Sequence, residues 1–361
     1  MTVARRKRPE PPSRAGAPPA AEHARSLVRR RTEALFALLP KARRGRDADA
    51  IHDLRVASRR LGEALALCPD GGSKARALVE EVALLRRAAG RLRDADVWLA
   101  WLRGAAANAK AERVAVEALL DSEGERRRKA ARRCRERLAG IDARALEKSL
   151  RAFAKSAAAD DGRRAADDSF RGLLLERDAR AARLAATAAK SGDAEELHEA
   201  RIAYKQLRYA AESAEGLFDA RLLARLIRRL KDVQDVLGEL HDRDVFLDRA
   251  ARRGEKLADE APQSRRDELR KSFEALSARL SRERERLLAR FRRLVPGRAE
   301  PALAPTIRRG LASPRPKGGP RSRGAARGAG TRRTRVTAAA AAAPAATGAR
   351  GGTTDSGGNG S

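Results

Sequence analysis

Large apolar residues recur along this chain at steps of three and four. In RLLARLIRRLKDVQDVLGEL, Leu226, Leu230, Val233, Leu237 and Leu240 line one helical face, while Arg225, Arg228, Arg229 and Lys231 fall largely off it. Leu78, Val82, Leu85, Ala89 and Leu92 repeat the pattern earlier. No strand-like alternation interrupts the body of the chain, where internal prolines are few. Turn signals at LPKARRG, CPDGGS and SGD separate the helices. Asp193 and Glu196 have the spacing of an N-cap pair just before His198. The pattern predicts an all-α protein.

Three blocks recur in the same order. Leu27, Val28 and Arg31 match Leu173, Leu174 and Arg177. His52, Arg55, Arg59 and Leu61 match His198, Arg201, Lys205 and Leu207. After a two-residue shift, GRLRDADVWL matches GELHDRDVFL. This order predicts an internal duplication: two four-helix bundles related by a pseudo-twofold. The expected body spans 24–297, with one repeat at 24–145 and the other at 165–297. A basic arm, 1–23, and an Arg/Ala/Gly/Pro-rich tail, 298–361, carry too few apolar residues to offset ordering entropy and are expected to be disordered.

Charge then narrows the function. The formal net charge is +31 and aromatic residues are 3%. This excess predicts a polyanionic partner. The tail holds 12 Arg and Lys against two acids, yet the body keeps about +18, so the binding site is expected on the fold. Two cysteines make no disulfide framework, and a reduced cytoplasmic setting is expected. No apolar run reaches the roughly 18 residues needed to span a membrane, and no secretory signal is evident.

The duplicated block carries the candidate chemistry. His52, Arg55 and Arg59 share one helical face, as do His198, Arg201, Lys205 and Arg208. The second stripe is about 15 Å long by helical rise. Stacked like charges repel, so a stripe written twice implies an anion that offsets the repulsion. The arginine fork suits phosphate oxygens, lysine adds a point charge and protonated histidine donates from both nitrogens. Asp96 and Asp244 continue apolar stripes, where a carboxylate needs a cation. They are read as struts, with Arg31 and Arg177 or the His-bearing helices as expected partners. Gly90 and Gly238 are expected to allow close helix contact, and Trp98 and Trp101 to be core or interface residues rather than ligand-stacking ones. His23 and His241 lack the pattern and receive no role. Arg126 and Arg127 lie off both stripes and are expected to contribute little.

No Gly-x-x-x-x-Gly-Lys-Ser/Thr loop, His-Glu-x-x-His or paired Cys-x-x-Cys occurs. The His52–Asp53 and His241–Asp242 dipeptides sit among guanidinium groups, which repel a metal. No catalytic activity, cofactor or metal is therefore expected.

IHDLRVASRRL and LHEARIAYKQLRYA, together with GRLRDADVWL and LKDVQDVLGELHDRDV, closely resemble the conserved histidine α-helical domain (CHAD) family. The resemblance covers the body and implies twin four-helix bundles whose basic groove binds inorganic polyphosphate, often on polyphosphate granules. The implied binding set is His52, Arg55 and Arg59, with Arg60 beside them, and His198, Arg201, Lys205, Arg208 and Lys231. Gly62 opposite Arg208, and Gln206 opposite Arg60, imply unequal halves. The expected function is non-catalytic polyphosphate binding. The alternative is a nucleoid-associated protein holding DNA or RNA through its body and tail. With few aromatics the body offers little for base stacking, which favours polyphosphate.

Overall fold

The computed structural model describes residues 19–68, 71–156, 166–295 and 303–312. Among them are eleven helices and no strand: α1 (Ala20–Arg43), α2 (Ala48–Ala66), α3 (Gly72–Ala88), α4 (Gly90–Ala106), α5 (Arg113–Ala139), α6 (Ala143–Lys155), α7 (Ala166–Ser191), α8 (Ala194–Ser213), α9 (Ala220–Glu260), α10 (Gln263–Leu294) and α11 (Ala304–Ala312). The all-α class holds. No helix among the described residues is long and apolar enough to cross a membrane.

The apolar stripes become the core. Leu226, Leu230, Val233, Leu237 and Leu240 are all buried, as are Leu78, Val82, Leu85, Ala89 and Leu92. The stripe in the second half lies on one 41-residue helix, α9. The stripe in the first half is split between α3 and α4, which meet at Ala89. The buried clusters do not follow the boundary between the halves. The largest joins Leu27, Leu54 and Leu61 to Leu174, Leu207 and Leu226. A second packs Trp98, Leu102 and Leu119 against Phe246, Leu276 and Leu280. A third, with Leu197, Leu237 and Phe291, lies within the second half. The core is thus shared across the chain rather than enclosed in two separate bundles, because leucines on both halves face the α2–α8 contact.

The two His-bearing helices are entered alike. Gly45 and Gly192 adopt left-handed backbone, φ 63° and 70°, which glycine reaches without a Cβ clash. Asp47 and Asp193 then cap α2 and α8 by accepting two backbone N–H groups each. The expected break at LPKARRG falls late, since α1 continues through Pro40 to Arg43.

The edges of the domain differ from expectation. The expected arm ends at residue 23, but α1 begins at Ala20 and His23 is buried on it. Its Nε2 lies 2.8 Å from the Ser213 carbonyl and its ring meets Phe170 edge-on. Helix α6 runs past 145, and α11 lies beyond 297. Helix α11 packs on α7 and α9. Leu303 and Ile307 are buried, and the Leu303 N–H donates to the Asp178 carboxylate. The rest of the expected arm and tail lies outside the described residues.

Burying an aliphatic side chain contributes roughly 1.5–3 kcal/mol. A chain truncated after Val295 should therefore lose about 3 kcal/mol relative to one truncated after Ala312. Denaturant midpoints of the two chains check this, and equal midpoints would mean that α11 is energetically idle.

Candidate anion-binding site

Helices α2 and α8 pack against each other, so the two basic stripes meet. The charged neighbours of each group show how closely. Lys205 feels Arg201 on its own helix and Arg59 and Arg55 across on α2. Arg201 feels Asp242 of α9, Arg59 of α2 and Asp94 of α4. His52 feels Arg93 of α4 and Arg59. Six groups of the expected set, His52, Arg55, Arg59, His198, Arg201 and Lys205, thus fall in one seam.

The seam is poor in compensation. Among the described residues, no carboxylate lies within 4.0 Å of the charged nitrogens of Arg55, Arg59, Arg201 or Lys205. Arg55 donates to the Arg86 carbonyl at 3.0 Å, and its charged neighbours are Arg59, Arg86 and Arg93 against the single carboxylate of Asp94. The Arg201 Nε and the His198 Nδ1 are buried without a hydrogen-bond partner. Burial, reinforced by Arg201, Arg59 and Arg55, pushes the Lys205 ammonium down to about 6. Burial likewise lowers the guanidinium of Arg55 to about 10, with Arg59 adding to the effect. Asp242, whose carboxyl is raised by burial, is the acidic neighbour of Arg201 and Lys205 but lies outside ion-pair range of both.

His241, given no role from sequence, belongs here. Its ring lies 4.8 Å from that of His198. Burial, together with Arg201, His198 and Lys205, holds it near 4. Arg93, which aligns with it in sequence, bears on His52 and Arg55. The signal was present in the aligned GRLRDADVWL and GELHDRDVFL blocks, which place Arg93 and His241 at matching positions.

Three of the expected site residues are placed differently. Arg60 and Arg208 both turn to Glu212, Arg60 Nε at 2.8 Å and Arg208 Nη1 at 2.9 Å. Their charges are committed to a carboxylate between the helices, because Glu212 lies four residues after Arg208 and faces α2. Lys231 is exposed on α9 and is not among the charged neighbours of Arg201 or Lys205.

The supporting residues divide the work differently from expectation. Arg31 donates to the Arg60 carbonyl at 2.6 Å and to the Ser213 hydroxyl at 2.7 Å. About 146 residues on, Arg177 donates to the Gln206 carbonyl at 2.7 Å and to Glu63 at 2.8 Å. Each arginine grips the His-bearing helix of its own half and reaches the other half. They clamp the seam and do not partner Asp96 or Asp244. Those carboxylates pair instead with Arg127 on α5, at 2.6 Å, and Arg284 on α10, at 2.5 Å. Arg127, expected to contribute little, is therefore structural. Pairing along α4 and α9 leads to the next helix in the chain, which sequence spacing alone did not specify.

Gly90 makes room for the site rather than for a helix, since a Cβ there would meet the Arg55 guanidinium at 3.1 Å. At Gly238 a Cβ would meet open space. Trp98 is fully buried and stacks on Trp101 at 5.4 Å, away from the seam, as expected of core residues.

The site is thus a partly buried cationic seam, in an all-helical fold, whose Arg55, Arg59, Arg201 and Lys205 make no ion pair among the described residues. The chain belongs to the CHAD domain family, whose model matches residues 26–251. The fold is similar to the crystal structure of the CHAD domain from the plant Ricinus communis, at 23% identity and a TM-score of 0.54, over 83% of this chain and 93% of that one. It is also similar to PptA from Streptomyces chartreusis, at 16% identity and a TM-score of 0.60, over 77% and 99% of the two chains. At such identities the likeness is one of fold. No curated protein matches the sequence.

Proposed function

We propose that this protein binds inorganic polyphosphate non-catalytically along the seam between α2 and α8, in the cytoplasm at polyphosphate granules. One observation carries the reading: Lys205 is held among Arg201, Arg59 and Arg55 without a carboxylate in ion-pair range. Charges arranged this way repel, and their burial costs free energy. An anion of high linear charge density relieves both. Guanidinium groups donate paired hydrogen bonds to phosphate oxygens, and a phosphate chain needs no base platform. The rings nearest the stripe are taken up by the fold, Tyr209 being buried and Tyr204 packed against the core.

A competition titration at physiological salt tests this. Long-chain polyphosphate should displace labelled duplex DNA at phosphate concentrations at least tenfold lower than DNA displaces polyphosphate. The reverse order would favour a nucleic-acid-binding protein.

Binding should also take up protons. The groups facing Lys205 and His241 are Arg55 and Arg59 of α2, His198 and Arg201 of α8, and Asp242 of α9. In the free protein Lys205 sits at about 6, so it is largely neutral at pH 7.5. A bound polyanion raises that value, so the complex holds more protons than the free protein. Affinity should therefore fall as pH rises from about 6 to 8. Calorimetry in buffers of different ionisation enthalpy reads the uptake directly, and Lys205→Met should reduce it. Identical heats in all buffers would contradict the assignment.

A further inference from the structure

Helices α4, α5 and α9 enclose a second concavity, about 480 Å³, that the seam does not use. Its walls carry Arg91 of α4, Arg126, Arg133 and Arg137 of α5, and Arg249 and Arg253 of α9, over alanines at 88, 95 and 130. On α5 the arginines at 126, 133 and 137 share a face, spanning about 16 Å by helical rise.

The compensation available is small and lies to one side. Glu123 is the lone carboxylate lining the cavity, and it is shared by Arg126 at 3.4 Å and Arg253 at 3.3 Å. The Arg253 Nε is buried and lacks a hydrogen bond even so. Arg249 donates to the Asp94 carbonyl at 3.2 Å. Arg91, Arg133 and Arg137, from two different helices, have no ion pair among the described residues.

The arginine-lined concavities of this chain differ in how far carboxylates compensate them. A cavity of about 410 Å³ near Trp101 also holds arginines, but there Glu283 pairs with both Arg243 and Arg279, and Glu112 pairs with Arg279. That cavity is balanced and this one is not.

Position adds to the argument. Helix α4 turns Arg91 and Ala95 toward the cavity and Arg93 toward the seam. Helix α4 therefore contributes cations to both the cavity and the seam. The lining has no aromatic ring, so it offers no platform for bases.

We propose that this cavity is a second phosphate-chain subsite, taking a segment of the same class of ligand as the seam. The ligand class rests on the proposed function; the site itself rests on its own charge imbalance.

The test is calorimetric titration of the full-length protein with inorganic tripolyphosphate at low ionic strength. The wild type should bind two equivalents. Arg91→Ala/Arg133→Ala/Arg137→Ala should bind one, and its affinity for long-chain polyphosphate should drop roughly tenfold or more as three contacts are lost. Arg201→Ala/Lys205→Ala should lose the other equivalent. Lys74→Ala/Arg144→Ala/Lys148→Ala, which removes exposed cations elsewhere, should still bind two. The cavity side chains altered are exposed, and melting curves matching the control would verify an intact fold.

A cavity variant that binds like this control overturns the proposal. A seam variant that binds like wild type, beside a cavity variant that loses an equivalent, overturns the seam reading and leaves this one standing. No uptake of tripolyphosphate by the wild type overturns both. Protection of the cavity by duplex DNA but not by long-chain polyphosphate would refute the ligand class.

Discussion

Replacing Arg201 and Lys205 together with alanine should weaken long-chain polyphosphate binding by more than a hundredfold. Each lost hydrogen bond to a charged group costs about 1.5–3 kcal/mol, and two such losses give roughly 3 kcal/mol or more. Arg55→Ala with Arg59→Ala should do the same from the other side of the seam. Lys74→Ala with Lys148→Ala removes equal charge from exposed positions and should change affinity less than threefold, an allowance for diffuse attraction. The salt dependence separates the cases further. Loss of a real phosphate contact flattens the slope of log affinity against log salt by somewhat under one unit, on the scale known for nucleic acids. Equal effects from all three double variants would reduce the seam to bulk charge.

The same residues should report on stability in the opposite direction. Lys205→Met keeps the volume and removes an amine that the folded seam holds largely neutral at pH 7, whereas the unfolded chain protonates it. At pH 7 without anion, its melting temperature should rise. The sign follows from linkage. The folded value, about 6, lies below the ordinary lysine value of 10.5, so between these the unfolded chain binds more protons. Stability from this group therefore rises with pH across that window, and the variant should lose that slope. A variant that melts lower than wild type and still binds polyphosphate would show that Lys205 serves packing.

Asp96→Ala should destabilise the fold by about 2–4 kcal/mol. The range is set below that of a fully buried pair because Arg127 keeps 26% of its side-chain surface exposed. Asp96 is itself buried, so its removal leaves Arg127 Nε without a partner against α4. Asp244→Ala should cost less, since both members of that pair are only partly buried. It carries a second consequence. Arg284 also donates to the Gly192 carbonyl, at the turn that launches α8. Loosening Arg284 should therefore lower polyphosphate affinity as well as stability, whereas Asp96→Ala should act on stability alone. Unfolding by denaturant and binding measured on the same two variants decide this. Unchanged melts in both would remove the struts from the account.

Much of this was legible in the residues. The leucine periodicity specified helices and their buried faces, because a 3.6-residue repeat can bury one stripe only as a helix. The aligned His-x-x-Arg blocks named Arg55, Arg59, Arg201 and Lys205 because four cations on matching faces are conspicuous against chance. Partner choice was not legible. Arg127 and Arg284 became the mates of Asp96 and Asp244, and Glu212 drew Arg60 and Arg208 out of the seam. The reach of a guanidinium across a helix interface depends on crossing geometry, which periodicity does not encode. His241 and Arg93 reach the seam from helices outside the motif, and their matching positions in the aligned blocks are the one sign of it in the sequence.

The sequence by itself determined the helical class, the buried stripes, the N-cap at Asp193, and four of the cations that line the seam, Arg55, Arg59, Arg201 and Lys205. These are local properties, decided by spacing along one helix and by side-chain type. The tertiary structure alone decided that α2 and α8 face each other, that Arg31 and Arg177 clamp them, that the core crosses from one half to the other, and that cations gather in a second cavity. Those outcomes depend on how buried area and charge are shared between helices far apart in the chain, and long-range packing settles them only once all the apolar faces compete for the same interior.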